Sequence, residues 1–382
     1  MSAKTALLAS AKPQLVRING YHDLLSIVPC LLGFEPAESL VVVFVGDGGV
    51  VGATARVDLA EVFRPASLLD LAQLLGDRAR AEFAHAATIA VYTDLPTVPP
   101  PMVGEVLYEI SASLNEVVER IDLWVVGRTR YWSLGRDLRR RPHEGFDVSN
   151  LESTTARAQM VLKGINVAGS REDRYRIPAA NKAARDRARA AATRCSSKWD
   201  AAMQSGPDAV GLMRRESYCD WIAATAAVKA GVELSPTLAG RLAAACSDRW
   251  VRDCFLTWCT PGGPAIAEKF ATASATPTDT ELMLAAIAGP LSQNPAKSEA
   301  STGQRVLEAV LAHSSRNKSV DVLALLAFLA WWQGDGAGAN IRCKAALEID
   351  KTHTLTNLVA RALLCGIPPA WVSTPRNHVD FG

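Results

Sequence analysis

The first third of the chain alternates between short apolar runs and segments in which apolar residues recur at helical spacing. The runs are rich in valine and isoleucine, as is typical of strands in a buried sheet. The predicted strands are Leu40–Val45, Val50–Val57, Ala87–Tyr92, Ile121–Val126 and a short fifth at Tyr131–Leu134. Helices are predicted over Asp23–Leu32, Pro65–Ala81 and Pro99–Glu119. This alternation predicts an α/β head.

The connections between the predicted strands indicate how the strands pair. A glycine-rich turn, Gly46–Gly49, joins the first two strands, which we therefore expect to be antiparallel. The segments that follow the second and third strands are long enough for right-handed crossovers, which join parallel strands. We therefore predict that the second, third and fourth strands are parallel, in a mixed, mainly parallel sheet.

Strand patterns disappear after about residue 145, and the rest of the chain is predicted to be helical. Proline and glycine mark turns, as at Thr260–Pro264, and the polar segment Ser292–Thr302 predicts a loop. The predicted organisation has three parts, which are an α/β domain over residues 1–145, a basic helical linker over 146–200 and a helical domain over 201–382.

Residues 320–365 have the pattern of one tetratricopeptide unit. When Ala346 is placed at the alanine of the second helix, Ala327 matches the small residue of the first helix. Gly334–Gly336 then matches the turn, and Ala339 matches the point where the two helices cross closely. Small residues are needed there because bulky side chains would push the helices apart. A single unit is not stable alone, so we expect it to pack on the preceding helices.

The composition is that of an ordinary globular protein. The 382 residues are 49% apolar and 21% charged, with a formal net charge of +2, which excludes collagen-like, coiled-coil and wholly disordered classes. The longest apolar run, Val322–Trp332, is too short to cross a bilayer, and Met1–Lys12 lacks the apolar core of a secretory signal. The eight cysteines form no Cys-x-x-Cys pair and indicate buried, reduced thiols. We expect a cytoplasmic protein without a membrane partner.

Several segments are similar in order and spacing to a known family. Leu24–Pro36, followed by Ser39–Val43, resembles the opening signature of the actinobacterial domain of unknown function 4192 family. Gly169–Glu172, Asp248–Asp253 and Leu323–Asp335 agree with that family further along the chain. The resemblance implies a cytoplasmic protein with an α/β head and a helical tail, and it carries over no catalytic residue.

Polar residues collect where the predicted strands end. Ligands of parallel α/β sheets gather at the carboxyl ends of the strands, since loops and helix N-termini converge there. The residues expected at this edge are Glu35, Glu38 and Ser39 before the first strand, Asp58 after the second, Thr93 and Asp94 after the third, and Arg128 after the fourth. This set predicts a site for a cation or a small polar molecule. The favoured alternative is that these residues only form turns and caps, which their types also suit.

A second candidate site is basic. The arginines Arg130, Arg136, Arg139, Arg140 and Arg141 lie close to Tyr131 and Trp132 in the sequence. Arginines beside aromatic residues bind phosphates and stack on bases, so nucleic acid or a nucleotide phosphate is one predicted partner. Ion pairing within the chain or a solvated helix face is the favoured alternative, because residues 1–120 carry an excess of acidic residues.

No motif identifies a reaction. The chain lacks the zinc-protease HExxH, the hydrolase Gly-x-Ser-x-Gly and the Walker lysine pattern, and it predicts no catalytic residue, metal or cofactor. The leading hypothesis is a non-enzymatic protein-interaction or assembly module, with a protein partner or self-association and a small-ligand site in the head. The alternatives are phosphate binding by the cluster Arg128–Arg141 and an enzyme whose site lies at the strand ends.

Overall fold

The chain is organised as two compact units, Met1–Arg174 and Tyr175–Gly382. The computed structural model describes residues 18, 20–46, 49–63, 65–81, 83–94, 101–134, 145–272, 276–288 and 297–373. The described strands all lie in the first unit. The predicted linker over 146–200 is shared between the two units. The three-part division stays a prediction, because contacts do not measure which segments fold independently.

The first unit, which we call the sheet unit, follows the predicted order of elements. Its elements are α1 (Tyr21–Leu32), β1 (Ser39–Val45), β2 (Val51–Asp58), α2 (Leu59–Val62), α3 (Pro65–Ala81), β3 (Ala86–Tyr92), α4 (Pro101–Leu114), β4 (Arg120–Val126), β5 (Arg130–Leu134), β6 (Phe146–Asp147), α5 (Ser149–Glu152) and α6 (Thr155–Leu162). The short helix α7 (Arg171–Tyr175) begins in this unit and ends at the first residue of the second unit. The helix predicted to reach Glu119 ends at Leu114 instead. Two short elements, α2 and β6, were not predicted.

Most neighbouring strands of the sheet are antiparallel. The strand order is β2-β1-β3-β4-β5-β6. β1 pairs antiparallel with both β2 and β3, and β5 pairs antiparallel with both β4 and β6. Among the described strands, β3 and β4 are the one parallel pair. The prediction of a mainly parallel sheet is therefore wrong, although β2, β3 and β4 do point in the same direction.

β1 lies between β2 and β3 because its sequence suits burial on both faces. Residues 39–44 of β1 are buried, whereas β2 carries Gly52, Thr54 and Arg56 and is half-buried along its length. A strand with polar residues suits the edge of a sheet, and a wholly apolar strand suits its middle. The predicted antiparallel pairing of β1 with β2 is confirmed, but the lengths of the connections did not indicate that β1 also pairs with β3.

Helices cover both faces of the sheet. Successive side chains of a strand point to opposite faces. Leu40, Val42 and Phe44 of β1 share an apolar cluster with residues of α3 and α4. Val41 and Val43 share a second cluster with residues of α1, α5 and α6. Apolar side chains therefore fill both faces of the sheet around β1.

The second unit, which we call the helical unit, is built from helices around one large apolar core. Its elements are α8 (Lys182–Ser205), α9 (Pro207–Lys229), α10 (Pro236–Ala245), α11 (Arg249–Trp258), α12 (Gly263–Ala271), α13 (Pro277–Ala288), α14 (Lys297–His313), a 3-10 helix at Arg316–Lys318, α15 (Val320–Trp332), α16 (Gly336–Leu347), α17 (Thr354–Leu364) and α18 (Ala370–Ser373). In the part of the chain that the structure describes, no helix is both long enough and apolar enough to cross a bilayer.

Two helices of this unit differ from the prediction. α14 begins at Lys297, within the segment Ser292–Thr302 that was predicted to be a loop. Ala300, in its first turn, is fully buried in the core of the helical unit. α12 begins at Gly263, inside the predicted turn Thr260–Pro264, with Pro264 in its first turn. Proline in that position starts a helix, since the missing N–H would have no helical partner there.

Candidate functional site

The residues predicted at the strand ends lie together at one edge of the sheet. Ser39, at the start of β1, is in register with Asp58 of β2 on one side and with Tyr92 of β3 on the other. Tyr92 is in turn in register with Val126 of β4. The start of β1 and the carboxyl ends of β2, β3 and β4 therefore form one row, which we call the sheet edge. The prediction that these four strand ends share an edge is correct, even though the sheet is mostly antiparallel.

Glu38 connects three parts of the sheet edge. Its carboxylate Oε1 accepts hydrogen bonds from Thr93 Oγ1 (3.1 Å) and from the backbone N–H of Asp94 (2.7 Å). Its backbone carbonyl accepts from the N–H of Leu59, directly after β2 (2.9 Å). Glu38 has a φ of 42°, in the left-handed region that non-glycine residues seldom occupy, at a cost of about 1–3 kcal/mol. The three hydrogen bonds offset this strain and hold the loop before β1 against β2 and β3.

Asp58 lies between two guanidinium groups. Its carboxylate is 2.6 Å from Arg56 Nη2 and 3.2 Å from Arg171 Nη1. Partial burial opposes ionisation of the carboxyl, but the two positive charges outweigh it, so the pKa of Asp58 is below its usual value. Arg56 Nε also donates to Ser39 Oγ (3.0 Å), which donates to the carbonyl of Ala37 (2.6 Å). Asp58 thus attaches the segment that begins at Arg171 to the edge strand β2.

A second ion pair attaches the same part of the chain to the loop before β1. Arg157 Nη2, on α6, lies 2.7 Å from Glu35 Oε1. Beside it the backbone forms a parallel bridge between Phe34 and Ala168, in which the N–H of Glu35 donates to the carbonyl of Ala168 (2.9 Å). Residues 157–171 are therefore held to the sheet edge by two arginines and by backbone hydrogen bonds.

Tyr92 places a buried hydroxyl at the end of β3. Among the described residues this hydroxyl has no hydrogen-bond partner. Burial raises the pKa of Tyr92 above its usual value, and the nearby carboxylate of Glu35 raises it further. The phenol is therefore a neutral group that is able to donate one hydrogen bond at the sheet edge.

The outermost pair at the sheet edge is Asp94 with Arg128. Asp94 follows β3 and Arg128 follows β4, and Arg128 Nη2 lies 2.9 Å from Asp94 Oδ2. Both side chains are exposed, with 75% of the Arg128 side chain accessible to solvent. An exposed pair gains little from its Coulomb attraction, because water and salt screen it. Breaking this ion pair therefore costs little free energy, so either side chain is able to bind a charged ligand instead.

Comparison with protein families assigns the chain. The model of the domain of unknown function 4192 (DUF4192) matches residues 22–370, which is nearly the whole chain. This chain belongs to the DUF4192 family. Searches of curated proteins and of solved structures gave no match. The resemblance in the opening segment and in the three later segments is therefore confirmed at the level of the family.

The sheet edge of this DUF4192 chain is balanced in charge. Its carboxylates are those of Glu35, Glu38, Asp58 and Asp94, and its guanidinium groups are those of Arg56, Arg128, Arg157 and Arg171. Among the described residues no three His, Cys, Asp or Glu side chains are grouped to hold a metal ion. The edge is suited to fastening segments of the chain together and to exchanging its exposed pair with a polar ligand.

Sequence reasoning found the acidic half of this DUF4192 edge and missed most of the basic half. Arg56 faces the edge from within β2, and Arg157 and Arg171 come from α6 and α7. Arg171 did stand out in the family resemblance, within Gly169–Glu172. No feature of the sequence indicated that Arg157 belongs to this edge, because a single arginine on a short helix is common.

The predicted arginine cluster of the DUF4192 chain is described only in part. Arg130 Nη1 donates to the carbonyl of Gly145 at 3.4 Å, and the neighbouring Arg128 pairs with Asp94. The remaining predicted residues, Arg136, Arg139, Arg140 and Arg141, lie outside the described residues. Anion binding by this cluster therefore stays a prediction.

Proposed function

We propose that this DUF4192 chain is a non-enzymatic interaction or assembly module of the cytoplasm, whose helical unit supplies the binding surface. The proposal rests on α15, α16 and α17, which pack side by side as a tetratricopeptide-like unit would. Ala327, Ala339 and Ala346 are fully buried in this group, as the repeat register requires. Asp335 accepts from the N–H of Gly338 (2.9 Å) and fixes the start of α16 at the turn between the first two helices.

The single observation that carries the proposal is the outward face of α17. Thr356 and Val359 of α17 are buried, whereas Leu358 and Leu364 are exposed, Leu358 by 62% and Leu364 still more. Ile367, just after the helix, is exposed as well. In a repeat array the next unit would cover this face. A second copy of this chain offers the same apolar face and is able to cover it in a twofold arrangement.

The test is the oligomeric state of the full chain and of a double variant. We expect the wild-type chain to self-associate in sedimentation-velocity experiments, and Leu358→Glu with Leu364→Glu to weaken association by about 100-fold or more, because each buried leucine contributes roughly 2 kcal/mol. Leu212→Glu is the matched control, since Leu212 on α9 is also 62% exposed. Its association should equal that of the wild type. A monomer at every concentration, or a double variant that associates normally, would contradict the proposal.

A small-ligand site at the sheet edge is the second part of the proposal. It is supported by the exposed Asp94–Arg128 pair, which lies at the carboxyl ends of the parallel strands β3 and β4. An enzyme at this edge is the alternative, but Asp58 would have to give up two guanidinium partners before it could act as a base. Binding of nucleic acid by Arg128 and Arg130 would compete with their present partners, Asp94 and the Gly145 carbonyl.

A further inference from the structure

The helical unit contains a cleft of about 210 Å³ that the proposed function does not use. Its walls come from α8, from α10 and from the segment that links α14 to α15. Small residues form its apolar part, namely Ala188, Ala192, Gly240 and Ala243. A Cβ atom at position 240 would lie 2.1 Å from the backbone oxygen of Ala188, so α8 and α10 are in direct backbone contact there. The cleft is therefore built on a rigid crossing of two helices.

The polar side chains that line this cleft include two cations. Arg189 and Lys318 supply charged nitrogen donors, and the amide of Asn317 and the hydroxyl of Ser315 lie beside them. The hydroxyls of Thr193 and Ser314 already donate to the carbonyls of Arg189 (3.0 Å) and Val310 (2.8 Å). None of the lining residues is Asp or Glu. A concave surface that is lined by two cationic side chains and by no carboxylate favours an anion.

The present partners of Lys318 and Arg189 leave these two cations further N–H groups for a ligand. Lys318 Nζ donates one of its three hydrogens to Ser196 Oγ at 3.1 Å. Arg189 pairs with Asp186 one turn earlier on α8, and this pair is exposed, so it is weakly held. His313 donates from Nδ1 to the carbonyl of Ala309 (2.8 Å), which orients its ring. A ligand would therefore meet a lysine and an arginine that need not break a buried ion pair.

We propose that this cleft binds the phosphate group of a small molecule. Arginine and lysine together with hydroxyl groups are the donors that proteins use for tetrahedral oxyanions. The volume is below the roughly 300–1,000 Å³ of pockets that enclose drug-sized ligands, so the cleft fits a phosphate with a small carrier. A nucleic acid would need a continuous basic track rather than one cleft. This favours a phosphate monoester of low mass over a polymer.

The proposal is tested by titrating the full chain with inorganic phosphate at low ionic strength and following the heat of binding. We expect one saturable site. Arg189→Gln and Lys318→Gln should each weaken binding by about tenfold or more, as loss of a charge-assisted hydrogen bond does. Arg187→Gln is the matched control, because Arg187 is exposed on α8 but two residues away, on the opposite face. Its affinity should stay within about twofold of the wild type.

Three results would overturn the proposal. The first is the absence of a saturable heat with phosphate. The second is a similar loss of affinity in Arg187→Gln and in the two cleft variants, which would indicate a general charge effect. The third is that a single-stranded oligonucleotide binds far more tightly than phosphate and loses its affinity in Arg189→Gln, which would assign the cleft to a polymer. Circular dichroism of each variant confirms that the helices are intact, and Lys318→Arg should retain binding.

Discussion

The sheet edge and the helical unit both contain arginine–carboxylate pairs, but they place them in different surroundings. At the sheet edge, Arg128 and Asp94 meet in solvent. In the helical unit, the side chain of Arg342 is only 5% exposed and lies between Glu308, the carbonyl of Gly338 and the ring of Tyr175. The same chemical pair is therefore an exchangeable surface contact in one unit and part of the packing in the other.

The difference shows that burial decides what an arginine does in this chain. A buried charge must be paired, because water no longer solvates it. Arg342 Nη2 donates to Glu308 Oε1 (3.1 Å), and its Nε has no partner among the described residues. The Asp58 pairs are intermediate, since Arg56 and Arg171 are mostly buried and Asp58 is partly exposed. Three substitutions of decreasing effect test this order.

Loss of the most buried arginine should have the largest effect. Arg342→Met keeps most of the side-chain volume and leaves the Glu308 carboxylate without its cation, so we expect the helical unit to lose about 3 kcal/mol of its free energy of unfolding. Urea denaturation followed by circular dichroism measures this. Arg361→Met, on the exposed face of α17, is the control and should change stability by less than about 0.5 kcal/mol.

A second change at the same pair sharpens the test. Adding Glu308→Met to Arg342→Met should recover part of the loss, because an apolar pair avoids the desolvation of an unpaired charge. If Arg342→Met lost less than about 1 kcal/mol of its free energy of unfolding, the Arg342–Glu308 pair would stabilise the chain no more than an exposed ion pair does.

Asp58→Asn should have an intermediate effect, of about 2 kcal/mol at pH 7, because it leaves Arg56 and Arg171 beside a neutral amide. The pKa of Asp58 is lowered in the folded chain, so its contribution is complete above the unfolded pKa of about 4. That contribution is lost as the pH falls through the folded pKa. Urea denaturation of wild type and variant at pH 7 and near pH 3 measures both effects.

The expected pattern is that wild type and Asp58→Asn differ less in acid than at pH 7. Asp70→Asn, an exposed carboxylate on α3, provides the control and should reproduce the pH dependence of the wild type. An equal difference between wild type and Asp58→Asn at both pH values would mean that the ion pairs do not stabilise the sheet edge.

Arg128→Gln should have the smallest effect on stability, within about 1 kcal/mol, because its pair with Asp94 is exposed. Thermal unfolding at low and at high salt measures it, and salt should reduce even this small difference. A loss near that of Asp58→Asn would show that the Asp94–Arg128 pair is structural, and it would remove the support for a small-ligand site at the sheet edge.

The sequence predicted the elements of the sheet unit better than their arrangement. The bounds of α3 agree at both ends, and β1 and β3 agree within a residue. These elements depend on local periodicity and on glycine and proline at their ends. The partner of β1 depends on which strand is most apolar across both faces, and the connections of the chain do not state this. The sequence therefore did not predict that β1 lies between β2 and β3.

The candidate site at the sheet edge was likewise predicted only in part. That Glu38, Asp58, Asp94 and Arg128 share one edge followed from the directions of the strands, which the sequence alone indicated. The ion-pair and hydrogen-bond partners of these four side chains did not follow from the strand directions. Arg171 and Asp58 are 113 residues apart in the sequence. The sequence around each of them does not indicate which residue it pairs with.

What the sequence by itself determined, then, is the class of most segments, the helical nature of the rear of the chain and the membership of the DUF4192 family. Helix and strand propensities depend on a few neighbouring residues, so they can be inferred directly from the sequence. The tertiary structure alone decided the place of β1 between β2 and β3, the attachment of Arg157 and Arg171 to the sheet edge and the cleft between α8 and α10. Each of these arises from contacts between distant segments, whose free energies depend on burial that exists only after the chain has folded.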